Sequence, residues 1–228
     1  MEKRIIVTGL PKSGTQYMAN LLGKLSLRSY HEMIFTHSST DWPAAWRIDS
    51  TTMRQVESSW MTVPFLDQVD GNYIIWHQLR HPLKILQCLT SHLTLMEPSA
   101  TADFIWQHVP DTRQGTIWER AVHFILEWTR KIEDHAHRLD YIRYRLEDLD
   151  SDQLHTALVL SGYLNISQAN CAYWLVETPR NMNSCHHSAD WITWRMLHDQ
   201  VGPDLSIRLQ RLAWSQGYRK HHEKVGPR

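Results

Sequence analysis

Residues 3–8, Lys-Arg-Ile-Ile-Val-Thr, form a short β-branched run that stops at Gly9-Leu10-Pro11-Lys12-Ser13-Gly14-Thr15. Beyond it Tyr17, Met18, Leu21, Leu22 and Leu25 recur at helical spacing. Strand, glycine loop, helix is the reading, and it constrains everything downstream, because a helix leaving an apolar strand through so short a loop packs back on that strand. The pattern then alternates. Residues 27–33 suit a second strand, and residues 73–78 are a continuous run suited to a strand buried on both faces, with Pro82 where a helix would begin. Ile117, Trp118, Ala121, Val122, Ile125, Trp128 and Ile132 mark one face of a long amphipathic helix. A strand over 141–146 follows, then a helix over 152–160 closing at Gly162, then a helical pattern over 190–216 broken at Gly202-Pro203. Strands alternating with helices predict an α/β fold with a central parallel sheet covered by helices on both faces. A length of 228 residues suits one domain over 1–228, with a tail after about residue 218 rich in Lys, His and Arg.

Lys plus Arg and Asp plus Glu stand at 24 each, so no global basic field draws the chain to nucleic acid or to an anionic membrane, and any anion site must be built locally. Three cysteines at irregular spacing, Cys88, Cys171 and Cys185, argue against a disulfide scaffold and for a reducing, cytoplasmic setting. No window approaches the length of a membrane span, and the N-terminal residues enter the first strand without a leader-like apolar stretch.

A loop between a buried strand and a helix gathers backbone N–H groups at the positive end of the helix dipole, which selects anions. Gly9 and Gly14 have the separation of a Walker A loop, but Thr15 stands where that motif requires lysine, and the lysine sits earlier, at Lys12. Pro-Lys-Ser-Gly-Thr directly after a first strand resembles the 5′-phosphosulfate loop of the P-loop sulfotransferases, whose sheet is kinase-like. The resemblance implies a P-loop, three-layer α/β fold and 3′-phosphoadenosine 5′-phosphosulfate as donor, with adenosine 3′,5′-bisphosphate as product. It makes Lys12 the electrophilic catalyst, with Pro11, Ser13, Gly14, Thr15 and Gln16 cradling the 5′-phosphate.

Residues 73–88, YIIWHQLRHPLKILQC, are similar to the family's 3′-phosphate motif, in which an arginine follows the strand and a serine lies eight residues later. Arg80 matches and Cys88 stands in the serine's place. Thr90 or Ser91 would substitute for it only on a shifted helix. A guanidinium grips phosphate through parallel N–H bonds, which makes Arg80 the main expected contact. Residues 141–149, YIRYRLEDL, resemble a late strand and Glu-Asp-Leu turn of the family, with Glu147 and Asp148 expected to cap the next helix. The glycine-rich Arg-Lys-Gly segment that closes over the donor in the family has no clear equivalent here, and Arg180 is the candidate to approach the 3′-phosphate.

An acceptor hydroxyl must lose its proton as it attacks sulfur, so a general base is needed near the sulfate end of the donor. The resemblance points to Glu32 first, with His31 as the alternative. His37, Trp42, Trp46 and Trp60 are candidates for lining an acceptor pocket. Cys185, His186 and His187 lack the paired spacing of a zinc site, and no metal is expected. The expected activity is transfer of a sulfuryl group to a hydroxyl of a small molecule, a natural product or a sugar. The rival readings are a P-loop kinase of a small metabolite and a noncatalytic nucleotide-binding module.

Overall fold

The computed structural model describes residues 2–35, 55–69, 71–91, 98–136, 140–179 and 191–218. In chain order its elements are β1 (Arg4–Gly9), α1 (Thr15–Lys24), β2 (Ser29–His31), β3 (Val56–Ser58), β4 (Tyr73–Leu79), α2 (Pro82–Ser91), α3 (Ala100–His108), α4 (Ile117–Glu133), β5 (Asp140–Arg145), α5 (Ser151–Leu160), α6 (Gln168–Glu177) and α7 (Trp194–Ser215). Short 3₁₀ segments lie at Trp60–Gln68, Pro110–Arg113 and Leu146–Asp148. The chain divides into two compact units, Met1–Leu79 with Lys131–Asn183, and Arg80–Arg130 with Ser184–Arg228.

The first unit holds a five-stranded, all-parallel sheet of order β2-β3-β1-β4-β5. The fold class is therefore α/β, as the alternating pattern predicts. Ile5, Val7, Ile74 and Trp76 point into an apolar core shared with Tyr17, Met18, Leu21 and Leu22 of α1 and with Leu154 and Leu158 of α5. The intervening Ile6 and Ile75, on the opposite face, are equally buried, which is why these strands read as continuous apolar runs. Full burial of each such side chain is worth about 1.5–3 kcal/mol, so the central strands anchor the loop that leaves β1.

Two expectations need correction here. The second strand is Ser29–His31 alone instead of 27–33, because Ser26 and Glu32 adopt left-handed backbone conformations, with φ of 68° and 52°, that bracket it. The caps of α5 are not Glu147 and Asp148; Asp150 accepts from the Gln153 N–H at 2.8 Å, and Asp148 pairs with Arg145. Gly162 (φ 92°) closes α5, with its own N–H and that of Tyr163 returning to the Val159 and Leu158 carbonyls. β3, α3 and α6 lie where the sequence shows no strong period. Ser99 caps α3 and Ser167 caps α6, each accepting from a first-turn N–H.

In the second unit, Phe104 of α3 and Phe124 and Trp128 of α4 are fully buried, with ring centroids 6.2 Å (Phe104–Trp128) and 5.0 Å (Phe124–Trp128) apart. α7 kinks at Gly202 (φ 75°, ψ 175°), directly before Pro203, where the sequence predicts a break. Among the described residues no helix is long and apolar enough to cross a membrane.

Candidate active site at the glycine loop

In an open parallel sheet, ligands bind beyond the carboxyl ends of the strands where the strand order reverses. Here the chain leaves β1 for the β2 side of the sheet and later returns to β1's other flank as β4. The reversal therefore falls between β1 and β4, and the loop carrying Pro11, Lys12, Ser13 and Gly14 leaves β1 at that edge. Gly9 and Gln78 are register partners. A Cβ on Gly9 would stand 2.5 Å from the Gln78 carbonyl oxygen, so only glycine lets the strands close there.

The loop turns through two left-handed residues, Lys12 (φ 66°) and Gly14 (φ 105°). Lysine at positive φ is uncommon and costs of order 1–3 kcal/mol, a strain that concentrates at functional sites. Gly14 is also the N-cap of α1; no side chain caps the helix and its first turn holds no acidic residue. The positive end of the helix dipole thus has neither a side-chain cap nor a first-turn carboxylate. The Ser13 hydroxyl is buried without a hydrogen-bond partner among the described residues, an arrangement that suits a phosphate oxygen. Gln16 donates to Asn20 at 3.4 Å, so its side chain is turned along α1.

The candidate bases sit beside this loop. His31 ends β2, and its Nε2 lies 3.1 Å from the Thr15 hydroxyl and 3.4 Å from a Glu32 carboxylate oxygen. Burial pulls the imidazole down to about 4, so His31 is neutral at ordinary pH. Glu32 follows in a left-handed turn, its N–H donating to the Ser58 carbonyl at 3.2 Å. Burial raises its proton affinity above the usual carboxylate range, partly opposed by the Lys12 charge and by a hydrogen bond from the Trp60 indole. Lys12 itself is exposed.

No known family model and no curated protein matches the chain. The site is therefore identified by its geometry.

Trp60 is 6 % exposed, and its indole serves Glu32 instead of opening a broad ring face to an acceptor. His37, Trp42, Trp46 and Arg180 lie outside the described residues, as do Cys185, His186 and His187. Arg80 is the residue after β4 and opens the second unit. Cys88 is buried in α2 and disulfide-bonded, while Cys171 is free. A disulfide at Cys88 departs from the expectation of a reducing setting drawn from the cysteine spacing, and it removes Cys88 as a phosphate donor, since a disulfide sulfur carries no S–H. Thr90 and Ser91 do not replace it: their hydroxyls donate back to the Leu86 and Cys88 carbonyls at 2.9 and 3.1 Å. Among the described residues no group of three or more His, Cys, Asp or Glu is placed to hold a metal ion.

Sequence reasoning missed three residues that build this site. Gln78 donates to the Ser13 carbonyl at 2.5 Å, Tyr144 donates to Gln78 Oε1 at 2.8 Å, and Ser58 donates to the Thr15 carbonyl at 2.7 Å. The one signal for Gln78 was an amide, next to His77, near the end of a largely apolar strand, directly before Leu79 and Arg80. Ser58 lies on a strand of three residues with no readable period.

Proposed function

We propose that this protein is a sulfotransferase that moves a sulfuryl group from 3′-phosphoadenosine 5′-phosphosulfate to a hydroxyl of a small-molecule acceptor, a natural product or a sugar. The observation that carries the reading is the pairing of an uncapped, glycine-turned helix start bearing Lys12 with a partly buried carboxylate, Glu32, within reach of the lysine's charge. The orphaned Ser13 hydroxyl and the place of the loop at the strand-order reversal support an anion there.

When bound, the donor supplies an electrophilic sulfur joined through a bridging oxygen to a phosphate leaving group. Glu32, raised toward the range of a general base by burial, takes the acceptor's hydroxyl proton as the new O–S bond forms. Lys12 meets the negative charge that gathers on the departing phosphate as the bridging S–O bond breaks. His31, neutral and bonded to Thr15, holds the start of α1 beside Glu32. Ser13 and the first-turn N–H groups of α1 bind the 5′-phosphate, and Arg80 is assigned to the 3′-phosphate on the resemblance alone.

A cytoplasmic address belongs to this reading.

The test is thermal stability with adenosine 3′,5′-bisphosphate and, separately, with ATP and magnesium, since a ligand that binds only the folded state raises the melting temperature. A rise with the bisphosphate, followed by turnover of the phosphosulfate donor on hydroxylated acceptors, supports the proposal. A rise only with ATP and magnesium overturns it in favour of a kinase, and donor binding without turnover favours a noncatalytic module.

A further inference from the structure

Gln78 touches the glycine loop at three points. Its backbone carbonyl occupies the space a Cβ on Gly9 would need, its Nε2 donates to the Ser13 carbonyl at 2.5 Å, and the same Nε2 lies 2.8 Å from where a Cβ on Gly14 would stand. The residue is 1 % exposed. An amide has two ends of opposite character. The Ser13 carbonyl can only accept, so it takes the NH₂ end, and the Tyr144 hydroxyl, which burial keeps protonated, donates to Oε1 at 2.8 Å and holds the other end in place. Tyr144 is in turn packed edge-on to Trp76, their ring centroids 6.2 Å apart, within the apolar core of the first unit.

The consequence for the loop follows from the trans peptide bond, in which the Ser13 carbonyl and the Gly14 N–H point in opposite directions. Holding the carbonyl on Gln78 turns the Gly14 N–H away from Gln78. We infer that Gln78 and Tyr144 are positioning residues for the anion site: a two-residue relay from β5 through β4 that fixes the peptide between Ser13 and Gly14 so that its N–H is presented to the 5′-phosphate. The inference rests on the reading of the loop as a phosphate site, and it adds residues that the loop motif does not contain.

Calorimetric titration with adenosine 3′,5′-bisphosphate, and competition of that binding by inorganic phosphate, tests it on the full chain, Tyr144→Phe, Gln78→Leu and the double variant. Each single substitution is expected to weaken both ligands about five- to tenfold, the worth of one well-formed hydrogen bond. The double variant should bind no more weakly than the poorer single, because the two residues act through one chain of bonds. Tyr144→Phe removes a single oxygen and keeps the test open should Gln78→Leu fail to fold. A purely structural role would lower the melting temperature of the free protein and leave the affinity of the folded protein unchanged; that result overturns the inference alone. Failure of the unmodified protein to bind either ligand overturns the phosphate-site reading, and the inference with it.

Discussion

The Thr15 hydroxyl stands 3.1 Å from Nε2 of His31, which joins the first residue of α1 to the last residue of β2. The strand between them contributes to the same junction, since Ser58 of β3 donates to the Thr15 carbonyl and accepts from the Glu32 N–H through its own carbonyl. The start of α1 and the turn carrying Glu32 are thus built as one piece. That junction gives two residues adjacent in sequence different environments: a neutral imidazole engaged with the start of α1, and a carboxylate influenced by Lys12 and Trp60.

The first prediction follows from this division of roles. Glu32→Gln, which keeps the shape and removes the base, should lower kcat for sulfuryl transfer by about 10²- to 10⁴-fold. His31→Gln, which retains a side-chain partner for Thr15, should cost less than about tenfold, the scale of one hydrogen bond. Steady-state kinetics on both variants decides it, and the reverse order would make His31 the base.

Lys12→Ala should reduce kcat by about 10²- to 10³-fold while weakening bisphosphate binding far less, because the contact strengthens as charge develops on the leaving group. The lysine also holds the proton affinity of Glu32 down. Its removal should therefore move the acidic limb of the residual pH–rate profile to higher pH. Equal losses of kcat and affinity, or a limb that moves down, would contradict the assignment.

Gly14, the N-cap of α1, and Gly23, in its last turn, should respond oppositely to alanine. At Gly14 the added Cβ meets Leu146 Cδ2 at 2.5 Å and Gln78 Nε2 at 2.8 Å with φ at 105°, so Gly14→Ala should cost about 1–3 kcal/mol and abolish bisphosphate binding. At Gly23 nothing lies within 4 Å, and Gly23→Ala should add about 0.4–1 kcal/mol with binding retained. Urea denaturation with and without the bisphosphate measures both.

His77 is the buried titrating group with the clearest consequence for stability. Its Nδ1 lies 2.5 Å from the Tyr141 hydroxyl, and burial, with the Arg143 charge, pulls the imidazole down to about 3 from an ordinary 6.5. Between those values the unfolded chain binds more protons than the folded one. The stabilisation by neutral His77 is therefore complete above pH ~6.5 and is lost as pH falls toward ~3, at up to about 1.4 kcal/mol per pH unit. His31 acts in the same direction over a narrower range. Urea midpoints measured from about pH 7 to about pH 5 should fall less steeply in His77→Gln than in the parent. An unchanged slope would remove His77 as the source.

What was legible in the sequence is what short stretches of chain decide for themselves. The β-branched run, the glycines at 9 and 14 and the helical period from Tyr17 to Leu25 locate β1, the loop and α1, because φ preferences and side-chain period act over a few residues. The same holds for β4, for α4 and for the kink at Gly202. Tertiary structure decided the rest. Val56-Glu57-Ser58 is a strand only because β1 and β2 pair with it on either side. Gln78 lies 65 positions from Ser13 and 66 from Tyr144, and no local pattern connects them. Likewise the neutrality of His31 and the raised proton affinity of Glu32 come from burial by segments remote in the chain, since desolvation depends on what surrounds a group in space and not on its neighbours in sequence.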